Sequence, residues 1–497
     1  MSEGEQAPPV AGLRRNAVGL GGAVIMSAAI MGPAVSTFFN PQYSMPFSGA
    51  ATPFVYVATT VCLLIAASGI MARSARLPSA GAFFTYVVRG LGPRAGFVTG
   101  GLTFVAYALL PPAEIGLIGS YLQSTFAAEF GVDVPWWLIG LVPAGLMVFL
   151  AFEGIRSSLR AALVLFTAEV VVIVVLALII IGQGGGPDGL TPAPLTPAAS
   201  PNGFQGLVTG AIFAALSYVG FEAAATLGEE VREPRRTVPR AIFLSVLGVG
   251  LLYSFCIWAE VVGLGIAATN ATEPTATPWN DLAATFAPWM KWFVVIASVS
   301  SMFAVMVNSN NGVVRVLHVM GRERLLPGFL AHIDPRRHTP TRAVLVQGAF
   351  AIVLALLVGA VAGGLTDPAG GSNVYGYLGF LLTVAVLPVY ALTNLAAIRF
   401  LRRSAEFRWF PHAFLPGLGA LLMIGLLIGQ IVEQTDAPYT WFPWVIVAWV
   451  ALVGAGAFWL GRQRPEALTA AGHVFAEGEV EGAAVVSHQP DAGEHRG

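Results

Sequence analysis

Long apolar stretches alternate with short polar segments from residue 17 to residue 461 of the chain. A helix needs roughly 20 mostly apolar residues to cross a bilayer, and twelve stretches approach or exceed that length. These predicted spans, numbered 1 to 12 in chain order, cover residues 17–39, 52–72, 95–123, 135–151, 158–181, 204–228, 240–264, 287–317, 343–363, 374–399, 414–432 and 441–461. The pattern predicts an all-α integral membrane protein with twelve transmembrane helices.

The two ends of the chain lack this pattern. Residues 1–16 are polar, and residues 463–497 are rich in small and charged residues without periodicity. Such segments cannot bury enough apolar surface to offset the entropy of ordering. We therefore expect two disordered tails that flank a single twelve-helix domain at residues 17–462.

Composition supports the membrane assignment. Only 11% of the 497 residues are charged and 56% are hydrophobic, with a mean hydropathy of +0.73, whereas a soluble domain carries about 25% charged residues. The net charge of -1 offers no basic surface for nucleic acid. These values exclude an ordinary soluble enzyme and make the lipid bilayer the expected surroundings.

Arginine is restricted to the tails, to alternate loops and to the helix ends beside those loops. The other loops carry acidic residues, and the single lysine, Lys291, lies near one of them. Positive residues accumulate on the cytoplasmic side of a membrane protein. The sequence therefore predicts that both termini are cytoplasmic and that the protein is a multi-pass component of the cell membrane.

Enzyme signatures are missing from the sequence, which contains no HExxH, GxSxG or Walker-type lysine motif. We predict that the protein is not an enzyme and uses no cofactor and no structural metal. The remaining classes for such a chain are a transporter, a channel or a membrane sensor.

Spans 1 and 6 contain small and polar residues where an uninterrupted helix would be apolar. Span 1 holds Pro33 within Ser27–Ser36, and span 6 holds Gly220 within Ala215–Glu222. Interrupted helices in equivalent positions of two repeats mark the substrate site of many transporters, although a proline kink with helix-packing glycines explains the same pattern. The substrate-binding residues predicted here are Ile30, Gly32, Ala34, Phe213, Leu216, Ser217, Tyr218, Val219, Gly220 and Glu222.

Four stretches in order make the chain similar to a known family. They are residues 77–92 (LPSAGAFFTYVVRGLG), residues 220–240 with GFE and EPRRTVPR, residues 315–327 (RVLHVMGRERLLP), and residues 389–400 (VYALTNLAAIRF). The chain resembles the permeases of the amino acid–polyamine–organocation (APC) superfamily, of the prokaryotic amino-acid permease type.

The resemblance implies two inverted five-helix repeats, spans 1–5 and 6–10, followed by spans 11 and 12. It also implies that the substrates are amino acids or related organic cations. The sequence departs from the family at Pro33, because many members have a glycine- and serine-rich turn there whose amides bind the substrate carboxylate. Pro33 cannot donate, which leaves the amides of Gly32, Ala34 and Val35.

Acidic residues inside the spans are candidates for ion coupling. An ionised carboxylate at the bilayer centre costs about 2.5–3.5 kcal/mol on insertion scales, so such residues usually have a function. We predict that Glu169 on span 5 and Glu114 on span 3 take part in proton coupling. Glu169 lies near the register at which some proton-coupled family members carry a lysine. Ser300 and Ser301 on span 8 form an alternative, a sodium site.

These observations lead to one functional prediction. We expect a secondary active transporter that moves amino acids across the membrane by alternating access, as a proton-coupled symporter. The alternatives are a polyamine or organocation permease, an amino-acid exchanger, or an amino-acid sensor that transports nothing. A sensor would be expected to carry a signalling domain, for which the predicted tails are too short.

Overall fold

The structure is a computed structural model, and it is built from helices joined by short connections. It describes residues 19–75, 82–154, 159–226, 231–271, 277–322, 326–337, 339–403, 407–432 and 437–463. The predicted tails therefore lie outside the described residues, apart from Gln463, which ends the last helix.

The first half of the chain forms nine helices. They are α1 (Leu20–Ile30), α2 (Pro33–Phe38), α3 (Asn40–Ser48), α4 (Thr52–Ala66), α5 (Ser68–Ser74), α6 (Ala82–Leu91), α7 (Pro93–Phe130), α8 (Trp136–Phe152) and α9 (Leu159–Gly182). Span 1 corresponds to α1–α3, span 2 to α4 and α5, and spans 3, 4 and 5 to α7, α8 and α9.

The second half forms ten helices. They are α10 (Gly203–Leu216), α11 (Ala223–Thr226), α12 (Pro234–Leu264), α13 (Ile266–Ala271), α14 (Pro278–Phe286), α15 (Lys291–Arg322), α16 (Thr341–Val361), α17 (Pro368–Leu401), α18 (Leu415–Val432) and α19 (Phe442–Gln463). Span 6 corresponds to α10 and α11, spans 7 and 8 to α12 and α15, and spans 9 to 12 to α16–α19.

The helices are long and apolar enough for a membrane protein. Among the described residues, nine helical stretches can cross a membrane by length and composition, with Pro33–Ser74 counted as one of them, and three shorter apolar helices accompany them. The all-α membrane fold predicted from the sequence is confirmed. The count of twelve crossings stays a prediction, because length and composition do not fix where the membrane lies.

Helix packing follows the pattern of two repeats related by a shift of five spans. Span 5 packs against spans 1, 7 and 8, and span 10 packs against spans 6, 2 and 3. Adding five to span numbers 5 and 1, and subtracting five from span numbers 7 and 8, converts the first set of neighbours into the second. This correspondence is what the predicted five-helix repeats require.

Charged residues define the two faces of the bundle. Lys291, at the start of α15, forms an ion pair with Glu129 at the end of α7, so these helices run antiparallel. The beginning of α7, with Arg94, therefore lies on the same face as the end of α15, with Arg322. We call this face the arginine side. Its orientation toward the cytoplasm stays a prediction.

Four of the described helices lie outside the predicted spans: α3, which continues span 1 beyond residue 39, and α6, α13 and α14. The helix α6 lies in the second loop and packs against α7 and α17, because Phe83, Tyr86 and Val87 are buried while Arg89 is not. The helices α13 and α14 lie between spans 7 and 8, on the face opposite the arginine side. Short amphipathic helices of this kind carry too few apolar residues to stand out in a search for spans.

Candidate functional site

Span 1 is broken where the sequence predicted. The helix α1 ends at Ile30, and Gly32 adopts φ 58° and ψ 77°, a left-handed conformation that glycine reaches without steric cost. Pro33 then begins α2, at a position where its missing N–H would have no partner inside the helix. The proline thus restarts the helix after the break instead of kinking a continuous one.

Span 6 is broken at matching depth. The helix α10 ends at Leu216, and the chain turns through Ser217–Glu222 before α11 begins. Gly220 has φ 108°, and a Cβ atom placed on it would lie 2.6 Å from Ile30 Cγ2. A side chain at this position would therefore be strained and would clash with the break in span 1.

The two breaks lie against each other and run in opposite directions. Ser27 Oγ donates to the Phe221 carbonyl at 2.7 Å. Ser36 Oγ donates to the Met31 carbonyl at 2.7 Å and also lies 3.3 Å from the Ser217 carbonyl. Residue numbers rise along span 1 as they fall along span 6, so the spans are antiparallel. Inverted repeats require this arrangement.

A buried polar network surrounds the end of the span 6 break that faces away from the arginine side. Asn40 Nδ2 donates to Ser217 Oγ at 2.8 Å, and Tyr375 Oη donates to Asn40 Oδ1 at 2.6 Å. On span 2, Tyr56 Oη lies 3.0 Å from Ser217 Oγ. The network joins spans 1, 2, 6 and 10 at the level of the breaks.

Glu169 lies at the break of span 1. Its side chain is buried, and Ser300 Oγ donates to Glu169 Oε1 at 3.4 Å. The Ser301 hydroxyl and the Ala34 backbone amide also lie beside this carboxyl. Because Ala34 is in the first turn of α2, its amide has no partner inside the helix, and the positive end of the helix favours a carboxylate.

The proton and sodium hypotheses therefore concern one location. Ser301 Oγ, besides acting on Glu169, accepts a hydrogen bond from the Val35 amide at 3.4 Å. A carboxyl, two hydroxyls and the start of α2 converge here. Among the described residues, no cluster of three or more His, Cys, Asp and Glu side chains forms a metal site.

Glu222 has a complete set of partners within the protein. Tyr107 Oη donates to Glu222 Oε1 at 2.6 Å, and Tyr390 Oη donates to Glu222 Oε2 at 3.3 Å. The Gly220 amide also donates to Oε2 at 3.2 Å. The carboxyl joins span 6 to spans 3 and 10 between the breaks and the arginine side.

Glu114 has different surroundings. The side chain is 1% exposed, and its Oε2 atom has no hydrogen-bond partner among the described residues. The side chains of Tyr43 and Tyr375 lie near this carboxyl. A buried polar atom without a partner costs free energy, so this carboxyl requires an explanation.

The backbone amides at the breaks already have acceptors. The Gly32 amide donates to Ala29 O at 3.3 Å. The Ala34 amide lies beside the Glu169 carboxyl, and the Val35 amide donates to Ser301 Oγ. In span 6 the amides of Ser217, Tyr218, Val219 and Phe221 donate to neighbouring carbonyls. The predicted substrate-binding role of these backbone groups stays a prediction.

The predicted side chains of span 6 contact spans 1, 2 and 10. Phe213 stacks on Tyr43 at 5.8 Å between ring centroids and on Phe47 at 6.1 Å, and Leu216 lies close to Gly379 on α17. Tyr218 Oη forms a hydrogen bond with Thr60 Oγ1 at 2.7 Å. These residues are buried around the breaks.

Sequence reasoning missed several residues of the site. Tyr107, Tyr390 and Asn40 complete the contacts of predicted residues, and Gln42 donates to the buried Glu260 at 2.6 Å. A tyrosine or asparagine in an apolar span gives a weak signal on its own. These residues differ from ordinary core residues only in that they contact a buried acid or a helix break.

Comparison with known proteins finds transport proteins of similar sequence. The chain is 25% identical over 334 residues to the low-affinity putrescine importer PlaP of Escherichia coli (strain K12). The matched region covers 66% of this chain and 72% of that protein. It is 23% identical over 406 residues to the branched-chain amino acid permease BcaP of Bacillus subtilis (strain 168), with 77% and 81% covered. It is 25% identical over 330 residues to cationic amino acid transporter 7, chloroplastic, of Arabidopsis thaliana, with 62% and 55% covered.

Relatives of this kind are membrane transport proteins and not enzymes, and two broken, antiparallel helices that meet among buried acids are typical of such proteins. The family model of the amino acid permeases matches residues 19–454. The chain belongs to this amino acid permease family, within the APC superfamily. Its substrates are accordingly amino acids or organic cations.

Proposed function

We propose that the protein is a secondary active transporter that moves its substrate by alternating access, coupled to protons. Alternating access exposes one central site to each face in turn, and the adjacent breaks in spans 1 and 6 are the natural position for that site. We further propose that the arginine side is cytoplasmic and that both termini lie there. The substrate would contact Ile30–Ala34 and Phe213–Glu222.

Proton coupling is assigned to Glu169. The observation that carries this proposal is a buried carboxyl at the break of span 1, held by Ser300, Ser301 and the Ala34 amide. A conformational change of span 1 would alter these contacts. Protonation can shift a conformational equilibrium only if the two conformations bind the proton with different affinity, and the break supplies that difference.

Uptake into proteoliposomes tests this assignment. With a pH gradient and no sodium, the wild-type protein should concentrate a labelled amino acid or amine. Glu169→Gln cannot ionise, so it should keep exchange of labelled for unlabelled substrate while its accumulation ratio falls to about one. Thr167→Ala is the matched control, because Thr167 lies on the same helix, is exposed, and hydrogen-bonds only its own helix at Leu163 O.

Two results would reject Glu169 as the proton carrier. One is accumulation by Glu169→Gln at the wild-type level. The other is a wild-type protein that requires sodium, in which case Ser300→Ala and Ser301→Ala should reduce the apparent sodium affinity. Failure of the wild-type protein to exchange any amino acid or amine would reject the transport function itself.

The substrate class has two candidates within transport. The name of BcaP describes a branched-chain amino acid permease, and the name of PlaP describes a putrescine importer. An amino acid presents a carboxylate and an ammonium, whereas a polyamine presents ammonium groups alone. Counterflow with a panel of labelled amino acids and diamines would separate the two.

A further inference from the structure

Glu114 is a buried acid without a counter-ion. Among the described residues, no basic side chain forms an ion pair with it, and its Oε2 atom has no hydrogen-bond donor. Among the described residues, Glu169 and Glu222 have donors, and Glu260, which also has an unpartnered oxygen, has Gln42 as a donor to its other oxygen. Glu114 has no such donor within the described part of the chain.

Aromatic rings adjoin this carboxyl. Helix α7 packs on α17 next to Glu114, since a Cβ atom on Gly116 would lie 2.7 Å from Val374 Cβ, beside Tyr375. Tyr43 and Tyr375 both lie near the Glu114 carboxyl, their ring centroids are 5.6 Å apart, and Phe213 stacks on Tyr43 at 5.8 Å. Aromatic faces attract cations, and the attraction grows when water is excluded. A carboxyl beside several aromatic rings is therefore the chemistry that recognises an ammonium group.

The cluster adjoins the breaks. Tyr375 Oη donates to Asn40, and Asn40 donates to Ser217 at the start of the span 6 break. Tyr43 and Phe213 lie on spans 1 and 6 themselves. Movement of the broken helices away from span 3 would open space between Glu114 and the rings of Tyr43 and Phe213.

The backbone offers little to a carboxylate in comparison. Pro33 has no N–H group. The Ala34 amide lies beside the Glu169 carboxyl, and the Val35 amide donates to Ser301. The Gly220 amide donates to Glu222. The positive end of α2 thus already has an internal carboxyl. An external carboxylate would have to displace Glu169, whereas an ammonium would find Glu114 unoccupied.

We propose that Glu114, with the rings of Tyr43, Tyr375 and Phe213, binds an ammonium group of the substrate, and that the substrate class is organic amines that need no α-carboxylate. This inference rests on the proposed transport function and names its substrate class. It gives Glu114 a role in substrate recognition instead of the proton coupling predicted from the sequence.

Putrescine and ornithine form a matched pair of probes, because ornithine is putrescine with an added α-carboxylate. Binding to the purified full-length protein is measured by competition with labelled putrescine. We expect putrescine to bind at least as tightly as ornithine and at least tenfold more tightly than alanine. Tighter binding of ornithine and alanine than of putrescine would overturn the proposal.

Variants of Glu114 locate the effect. Glu114→Gln should weaken putrescine binding about tenfold or more, because it removes the charge that pairs with the ammonium. Glu114→Asp keeps the charge and should bind better than Glu114→Gln. Glu129→Gln is the matched control, since Glu129 lies on the same helix but pairs with Lys291 at the helix end, and its binding should equal that of the wild-type protein.

The outcomes separate this inference from the transport function. Wild-type binding of putrescine by Glu114→Gln overturns the inference, including the case in which that variant loses only accumulation driven by a pH gradient. If the wild-type protein exchanges alanine but not putrescine, transport stands and the amine assignment fails. If the protein exchanges neither, the transport function fails. The elution profile of each variant on size exclusion checks that it is folded.

Discussion

At the residue scale, the two glycines of the breaks adopt backbone conformations that other residues reach only at a cost in free energy. Gly32 and Gly220 have φ values of 58° and 108°, and an added Cβ would approach Val305 Cγ2 to 2.8 Å in one case and Ile30 Cγ2 to 2.6 Å in the other. Each glycine therefore combines a backbone conformation that favours glycine with a close helix contact. Replacement affects stability before it affects binding.

Gly220→Ala should destabilise the protein by about 1–3 kcal/mol, the typical cost of an L residue held in a sparsely populated backbone region. The thermal unfolding temperature of the purified protein measures this loss. Gly425→Ala is the control, because Gly425 is inside α18 with nothing within 4 Å of an added Cβ, and alanine there should be neutral or stabilising. Equal unfolding temperatures for the two variants would contradict the argument.

The sequence indicated which acidic residues lie inside the bundle better than it indicated what they contact. Glu169 and Glu222 stand out because a carboxyl in an apolar span is rare, and both prove to be buried. Their partners could not be found in the same way. Tyr107 lies 115 positions from Glu222, and no periodicity in a single sequence records such a contact.

At the scale of the elements, the broken spans are held by side chains from spans that are not broken. Tyr107 on α7 and Tyr390 on α17 donate to Glu222, just beyond the span 6 break. These hydrogen bonds join three spans between the site and the arginine side. Movement of α11 away from α7 and α17 requires that they break.

Tyr107→Phe should therefore favour conformations open to the arginine side. A hydrogen bond to a charged group contributes about 1.5–3 kcal/mol, so its loss should raise the open population about tenfold or more. The measurement is the rate of maleimide labelling of Ala225→Cys, a buried position of α11, in a background with Cys62→Ala and Cys256→Ala. Tyr377→Phe is the matched control on α17, and an equal labelling rate in both variants would contradict the prediction.

At the scale of the whole molecule, the fold was largely predictable and the closure of its two faces was not. Span positions and the breaks follow from hydropathy and from glycine and proline, which act locally. The end of span 1 was misplaced, because residues 40–48 are polar with two prolines yet form α3. The helix α14, on the face opposite the arginine side, has neither the length nor the hydropathy of a span. It packs on span 1 through Trp279 and Phe38, whose ring centroids are 4.7 Å apart.

Among the described residues, contacts on both faces hold the broken spans, including those of Glu222 with its tyrosines on one face and of Trp279 with Phe38 on the other. Suppose that alternating access is one equilibrium between two open forms. Weakening the Glu222 contact then favours the form open on the arginine side, and weakening the Trp279 contact favours the other form. Trp279→Ala should slow labelling of Ala225→Cys, because it favours opening on the face opposite the arginine side. Adding Trp279→Ala to Tyr107→Phe should then return the labelling rate toward the wild-type value, since two independent free-energy changes add. Two gates that open independently would instead leave the double variant labelling as fast as Tyr107→Phe alone, and that result would exclude a single two-state equilibrium.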